Sequence, residues 1–371
     1  MKAAIITLAL SNNYGAVLQT YALAKKTQDL GVDTVVYKYN DMRRLTHGCS
    51  LSKKIIRLAW HYGREAFSLW MKGLSFYIFR KKFLPLTDKR YHNNEQLKTA
   101  PKNYDIYISG SDQIWNPDLI LYDTSYFFDF LPDDCKRISY ASSFGKSTFN
   151  ESHKEKCGAL LSKYSNIAVR EESGIQIVKD LCGKDAECVL DPTLLLESLE
   201  WDKIANNAKS KAKNFKGILC YIMPGDTKVV ASIVKIAKDL QKKTNLPIKY
   251  IGIKEYNMFK YGVKNCDIFA SPMDFVAYFK NAEYIVTNSF HGTAFSLIYN
   301  KKFYIPINDE LNKGEALHER ILSVTKKLEA ENALVSTSNL ELKELDLEKI
   351  QKKLTVEREK SLNYLKDSLG I

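Results

Sequence analysis

The chain is poor in the devices that announce a metal or nucleotide site. Its seven cysteines are scattered and none stands in a Cys-x-x-Cys pair. No zinc site is therefore read, and the simplest expectation is reduced thiols in a cytoplasm. No cluster of metal-ligating residues stands out. The turn after the first strand has a single glycine, so the GxGxxG dinucleotide fingerprint is missing, and so is any P-loop. No apolar run is long enough to span a bilayer. There is no short-period repeat, no low-complexity tract and no recognised nucleic-acid motif, so no nucleic acid is expected as a partner. Acidic charge is also short, with 43 Asp and Glu against 55 Lys and Arg, a net charge of +12. Such a surplus suggests an anionic partner (a phosphorylated substrate, nucleic acid or an anionic membrane) without choosing among them.

What is present is an ordinary globular composition, 45% hydrophobic and 26% charged over 371 residues, a length that suggests about two domains. Lys2 followed by the apolar residues 3–10 has the outline of a signal peptide. The polar turn and amphipathic helix directly after it favour a first strand. Residues 3–8 read as a buried strand, 16–30 as a helix with Gly31 at its C-terminal end, and 34–39 as the next strand. This β-α-β unit implies a parallel sheet. Residues 50–90 mix Lys53, Lys54, Arg57, Arg64, Lys72, Arg80, Lys81 and Lys82 with Trp60, Tyr62, Phe67, Trp70, Phe76, Tyr77 and Phe79. They read as inserted helices, either packed on their own domain or facing a membrane or a lipid-linked acceptor.

Strands follow at 104–109, ending in Gly110-Ser111-Asp112-Gln113, at 137–141 and at 167–169, where Arg170 stands at the carboxyl end. There a guanidinium can clamp a carboxylate or phosphate, or pair structurally with Glu171, Glu172 or Asp191. Asp112 either holds a ligand or accepts local backbone N–H bonds. The Lys-rich stretch 194–214 marks a domain boundary, and 217–222 opens a second β-α-β run. Domains are expected at 1–195, with a helical insertion at about 50–100, and at 215–325, with a C-terminal helix in 340–371.

The stretch that organises this reading is YIVTNSFHGTAFSLIY, residues 284–299. It reads as a short strand, a turn at Thr287-Asn288-Ser289 and a helix opening at His291-Gly292. Ligands in open α/β sheets bind at the carboxyl ends of strands. The free N–H groups of a helix start attract phosphate or carboxylate there. A histidine at that junction can touch a bound anion and move a proton, or simply cap the turn.

Six segments occur in order: Asn13-Tyr14-Gly15-Ala16-Val17-Leu18-Gln19, Ser109-Gly110-Ser111-Asp112-Gln113-Ile114-Trp115-Asn116, Ser139-Tyr140-Ala141-Ser142-Ser143-Phe144-Gly145, Val169-Arg170-Glu171-Glu172-Ser173, Val189-Leu190-Asp191-Pro192-Thr193 and Thr287-Asn288-Ser289-Phe290-His291-Gly292. Together they resemble the polysaccharide pyruvyl transferase family, from the first strand to about residue 325. The resemblance implies an α/β fold of two Rossmann-like domains with a cleft between them, similar to GT-B glycosyltransferases. It implies transfer of a pyruvyl group from phosphoenolpyruvate, a co-substrate with no further cofactor, to hydroxyls of a sugar or lipid-linked oligosaccharide acceptor. The catalytic role falls on His291, with Asp112 as a second candidate, and donor binding on Arg170, Ser289 and Gly292. Members often carry Arg two residues before the histidine, where this chain has Ser289. The donor's charge then falls to Arg170, Lys301, Lys302 or Arg320. Asn13, Tyr14, Gln19 and Trp115 are the candidates for the acceptor. The expected place of work is the cytoplasm, with peripheral contact at the inner membrane face. Two alternatives stay open: a GT-B-like glycosyltransferase using a nucleotide sugar, and a non-catalytic protein that binds anions or nucleic acid.

Overall fold

A computed structural model describes residues 1–40, 63–252, 261–309 and 316–371. These form two compact units. Residues 1–40, 80–196 and 356–371 belong to the first, and 63–79 and the described residues of 197–355 to the second.

The first unit is built on β1 (Lys2–Ile6), whose residues Ala3 to Ile6 are fully buried. A strand apolar on both faces belongs inside a parallel sheet covered by helices. Ala3 lies opposite Thr34 of β2 (Asp33–Tyr39) on one side and Ile106 of β4 (Ile106–Ser109) on the other, both pairings parallel. With β3 (Leu86–Tyr91) and β5 (Arg137–Ser139) at the edges, the order is β3-β2-β1-β4-β5. A two-stranded pair, β6 (Ala168–Val169) and β7 (Glu187–Cys188), continues from β5 through single bridges, Ile138 to Asn166 and Ser142 to Val169. Helix α1 (Tyr14–Asp29) carries the chain from β1 to β2. The Asn13 side chain caps it by accepting from the Ala16 N–H at 3.2 Å. Gly31, at φ 82°, takes the left-handed turn that leads out.

The second unit repeats the plan. β8 (Ile218–Tyr221), β9 (Ile248–Ile251), β10 (Tyr284–Thr287), β11 (Lys302–Ile307) and β12 (Leu334–Ser336) pair in parallel in the order β12-β11-β10-β8-β9. Its core joins Ile218, Cys220 and Val286 of the sheet to Ile233, Ile236 and Leu240 of a helix over Thr227–Thr244. In each unit the first strand has later strands added on both sides. The crevices where ligands collect therefore lie beyond the carboxyl ends of β1 and β4, and of β8 and β10.

Three boundaries differ from the sequence expectation. The second unit begins at Glu197 rather than near 215. The helix Ser198–Ala205 belongs to it because Trp201 packs edge-on against Phe295, ring centres 4.8 Å apart. The final helix, Leu347–Leu369, is not a body of its own. From Val356 on it belongs to the first unit, where Arg358 donates to the Leu194 carbonyl at 2.7 Å and Tyr364 to the Ser139 carbonyl at 3.0 Å. The region 50–100 is not wholly helical. Its described part holds a long helix, α2 (Gly63–Phe83), and then β3, whose Asp88, Lys89 and Arg90 are exposed as an edge strand allows. Lys53, Lys54, Arg57, Trp60 and Tyr62 lie outside the described residues. Among the described residues no helix is long and apolar enough to cross a membrane.

Candidate functional site

In the first unit the polar motifs converge on one buried network. The Gln19 amide donates to the Thr7 hydroxyl at 2.9 Å, and Thr7 donates to the Ser111 carbonyl at 2.8 Å. Ser111 donates its hydroxyl to Asp191 at 2.8 Å. Asp191 also accepts from the Thr193 N–H and hydroxyl and from Arg170 Nη1 at 3.0 Å. Arg170 Nε donates to Glu171 at 3.1 Å, and Glu171 accepts the Ser143 hydroxyl at 2.7 Å. Asp112 Oδ1 lies 3.9 Å from Arg170 Nη2. The five N-terminal motifs thus meet at the carboxyl ends of the strands, with the Arg170 side chain only 1% exposed.

This arrangement ties Arg170 into the network, while the sequence reading gave it a role toward the donor. Burial pulls the guanidinium pKa down, but Glu171, Asp191 and Asp112 more than offset it and hold the group above its ordinary value. Three carboxylates lie within 4 Å of this one guanidinium. The pairing with Glu171 and Asp191 is the structural alternative that the sequence left open. Asp112 holds left-handed backbone, φ 74°, and its carboxylate accepts the Gln113 N–H at 2.9 Å.

The acceptor candidates separate as well. Gln19 is fully buried in the network, and Tyr14 is buried at the start of α1. Trp115 is a core residue, stacked on Phe127 at 5.3 Å and edge-on to Tyr164, with its indole N–H given to the Tyr126 carbonyl. All three side chains are buried. Asn13 is half-buried and spends its carboxamide on the α1 cap. A cavity of about 280 Å³ opens nearby instead, at the ends of β1 and β2, lined by Leu8, Leu10, Ser11, Asn12, Tyr39, Asn40 and Tyr126. Arg80 fixes its rim by donating to Asn12 Oδ1 at 3.1 Å and to the Ser11 carbonyl at 3.3 Å. Burial, and then the neighbouring Arg90, lower the Arg80 pKa to about 10. The sequence signal for this cavity was the polar turn Ser11-Asn12 a few residues beyond an apolar strand.

In the second unit, β10 ends at Thr287 and the helix Phe290–Ile298 begins three residues later. Ser289 is the cap, its hydroxyl 3.4 Å from the Gly292 N–H. Asn288 ties this turn to the loop after β8, accepting from the Met223 N–H at 2.8 Å and donating to the Met223 carbonyl at 3.0 Å. His291, in the first helical turn and 6% exposed, therefore stands at the crevice between β8 and β10. Asp226 and Asn308, which the sequence reading missed, join the same edge at 2.6 Å. The Asn308 amide and the Lys228 and Val229 N–H groups, against some burial, hold the Asp226 carboxyl below the usual range. An Asp directly after Pro224-Gly225 and before a helix was the available sign of a cap.

Gly292 is required by close approach. A Cβ there would stand 2.3 Å from Thr287 Oγ1, which donates to the Tyr221 carbonyl at 2.7 Å and accepts the Ser289 N–H. Gly292→Ala is expected to lower stability by about 1–3 kcal/mol, the usual cost of overpacking. A thermal melt checks it, and an unchanged melting temperature would mean that the turn has room to shift.

The remaining donor candidates divide. Arg320 is buried on the helix Ala316–Lys327, which packs against the His291 helix. Lys301 is corrected. It follows the far end of the His291 helix, and Lys302 pairs with Tyr284 at the opposite edge of the sheet. The rest of that helix beyond His291, roughly 10 Å, and the turn after it separate Lys301 from His291.

No curated protein matches the chain in sequence. Among solved structures, a UDP-GlcNAc 2-epimerase from Methanocaldococcus jannaschii, in complex with UDP-GlcNAc and UDP, is 11% identical with a TM-score of 0.50, over 96% of this chain and 93% of that one. A putative UDP-N-acetylglucosamine 2-epimerase from Listeria monocytogenes is 10% identical with a TM-score of 0.53, over 98% and 90%. At such identities the likeness shows the fold alone, an α/β fold with parallel sheets similar to that of these GT-B-type epimerases. The sequence model of the family described as polysaccharide pyruvyl transferase matches residues 13–309, a span that opens at the α1 cap and ends just beyond β11. With the six motifs inside that span, the chain belongs to the polysaccharide pyruvyl transferase family.

Proposed function

We propose that the protein transfers the pyruvyl group of phosphoenolpyruvate to two hydroxyls of a sugar, in a cell-surface polysaccharide or its lipid-linked precursor, forming a ketal. The observation that carries this reading is the place of His291 inside the family's span, on a helix's first turn at the crevice between β8 and β10. The chemistry needs a proton delivered to the methylene carbon of the enol phosphate. The carbon that becomes cationic is attacked by one sugar hydroxyl. A second hydroxyl then displaces phosphate, closing the ketal. Of the two hydroxyl protons released, one replaces the proton given to the methyl group and the other leaves with phosphate or solvent.

His291 is the proton donor in this scheme. A dianion bound at the helix start favours a cationic acid beside it. The first-turn N–H groups, Ser289, Gly292 and Arg320 receive the donor's charge. In the first unit, Asn12, Asn40 and Ser11 offer hydrogen bonds to sugar hydroxyls in the cavity beside β1, and Asp112 is the candidate to take up a hydroxyl proton. The test is donor consumption. Incubated with surface oligosaccharide intermediates, the protein is expected to use phosphoenolpyruvate, release one phosphate per ketal and add the pyruvyl mass to the acceptor. Consumption of a nucleotide sugar in its place, with phosphoenolpyruvate untouched, would overturn the reading.

A further inference from the structure

Helix α2 has two apolar faces. One is inward: Phe76 and Phe79 are fully buried. The other carries Trp70, Leu74, Tyr77 and Ile78, at i, i+4, i+7 and i+8, exposed by 62, 38, 56 and 47%. At 100° per residue the two sets lie on opposite sides of the helix. A helix bathed only in water would place polar side chains on the outer row. Exposed apolar residues scattered singly need no explanation, but four in one row do.

Charge identifies the occupant. Lys81 continues the same row, one turn beyond Tyr77 and Ile78, and Lys82 stands beside it, both exposed. Arg64, Lys72 and Arg80 are the helix's other basic residues, and its only acidic residue is Glu65, near the start. A Trp and a Tyr among aliphatic side chains, flanked by lysines and without acids, is the composition that settles at the boundary between headgroups and acyl chains. We infer that this outer face of α2 is a docking surface for an anionic lipid bilayer, with Leu74, Tyr77, Ile78 and Trp70 entering the acyl boundary and Lys81 and Lys82 pairing with acidic headgroups. The chain's net charge of +12 adds to the attraction. The inference is independent of the reaction proposed above.

The experiment is co-sedimentation of the full chain with vesicles of phosphatidylcholine alone and of phosphatidylcholine with phosphatidylglycerol, at low and high salt. Wild type is expected to sediment with the anionic vesicles at low salt and to be released at high salt. Replacing Lys81 and Lys82 by Gln should weaken binding on the order of 30-fold if both lie at the headgroups. Leu74→Gln with Ile78→Gln should abolish it, with the melting temperature unchanged because both side chains are exposed. Wild type left in the supernatant at low salt, or both variants sedimenting like wild type, would overturn the inference. Light scattering separates the remaining occupant. A wild-type dimer that the Leu74→Gln, Ile78→Gln variant turns into a monomer would assign the face to a second copy of the chain and sink the membrane reading.

Discussion

His291→Gln is expected to fold as the wild type and to lose transfer by roughly a hundred- to ten-thousandfold, the span that general acid catalysis supplies. Gln keeps a polar group of similar size in the first turn of the helix and removes the proton that the proposed reaction requires. His291→Ala should fall as far in rate, and it also leaves a small void beside Phe290, whose ring meets the imidazole edge-on at 5.1 Å. In the proposed scheme the loss should appear in kcat, because donor binding there rests on the first-turn N–H groups and Arg320. Phosphate release with phosphoenolpyruvate in excess reads this directly. Turnover near wild type in both variants would remove His291 from the mechanism.

The sequence showed the strand ends more clearly than it showed what lies beside them. Short polar segments after apolar strands marked the carboxyl edges of both sheets, and Thr287-Asn288-Ser289-Phe290-His291-Gly292 appears as the strand, turn and helix start that it reads as. What is adjacent across the sheet was not legible, since no local signal says that β4 lies next to β1 or that β7 follows β6. Asp191 reaches Ser111 and Arg170 only through that order, at sequence distances of 80 and 21. The burial of Gln19 and Trp115 was not legible for the same reason. A Gln on a helix and a Trp after a polar loop look available to a sugar until the network and the ring cluster that bury them are known. Lys301 failed for a simpler reason. Ten positions after His291 is one helix further on, and a helix carries the chain to the other edge of its sheet. β3 went unread because LTDKRY has the charged composition of an edge strand rather than the apolar alternation that marks a half-buried one.

Arg170→Met is expected to destabilise the first unit by about 3–5 kcal/mol, the cost of breaking a buried ion pair by removing one partner. The variant keeps a side chain of similar length but leaves Asp191 and Glu171 in the interior without the cation that faces them at 3.0 and 3.1 Å. Ser111, Thr193 and Ser143 still donate to those carboxylates, so the network is weakened at its centre rather than erased. Arg170→Lys should fall between wild type and Met. It restores one positive charge and loses the planar fork that reaches two carboxylates at once. Denaturant midpoints for the three proteins measure the order. The donor KM of Arg170→Lys, taken where the protein is fully folded, separates this role from donor binding. A stability equal to wild type together with a raised donor KM would return Arg170 to the donor. The expected pattern is the reverse, a lowered midpoint with the donor KM unchanged. A guanidinium shared by three carboxylates has little positive potential left to offer an incoming phosphate.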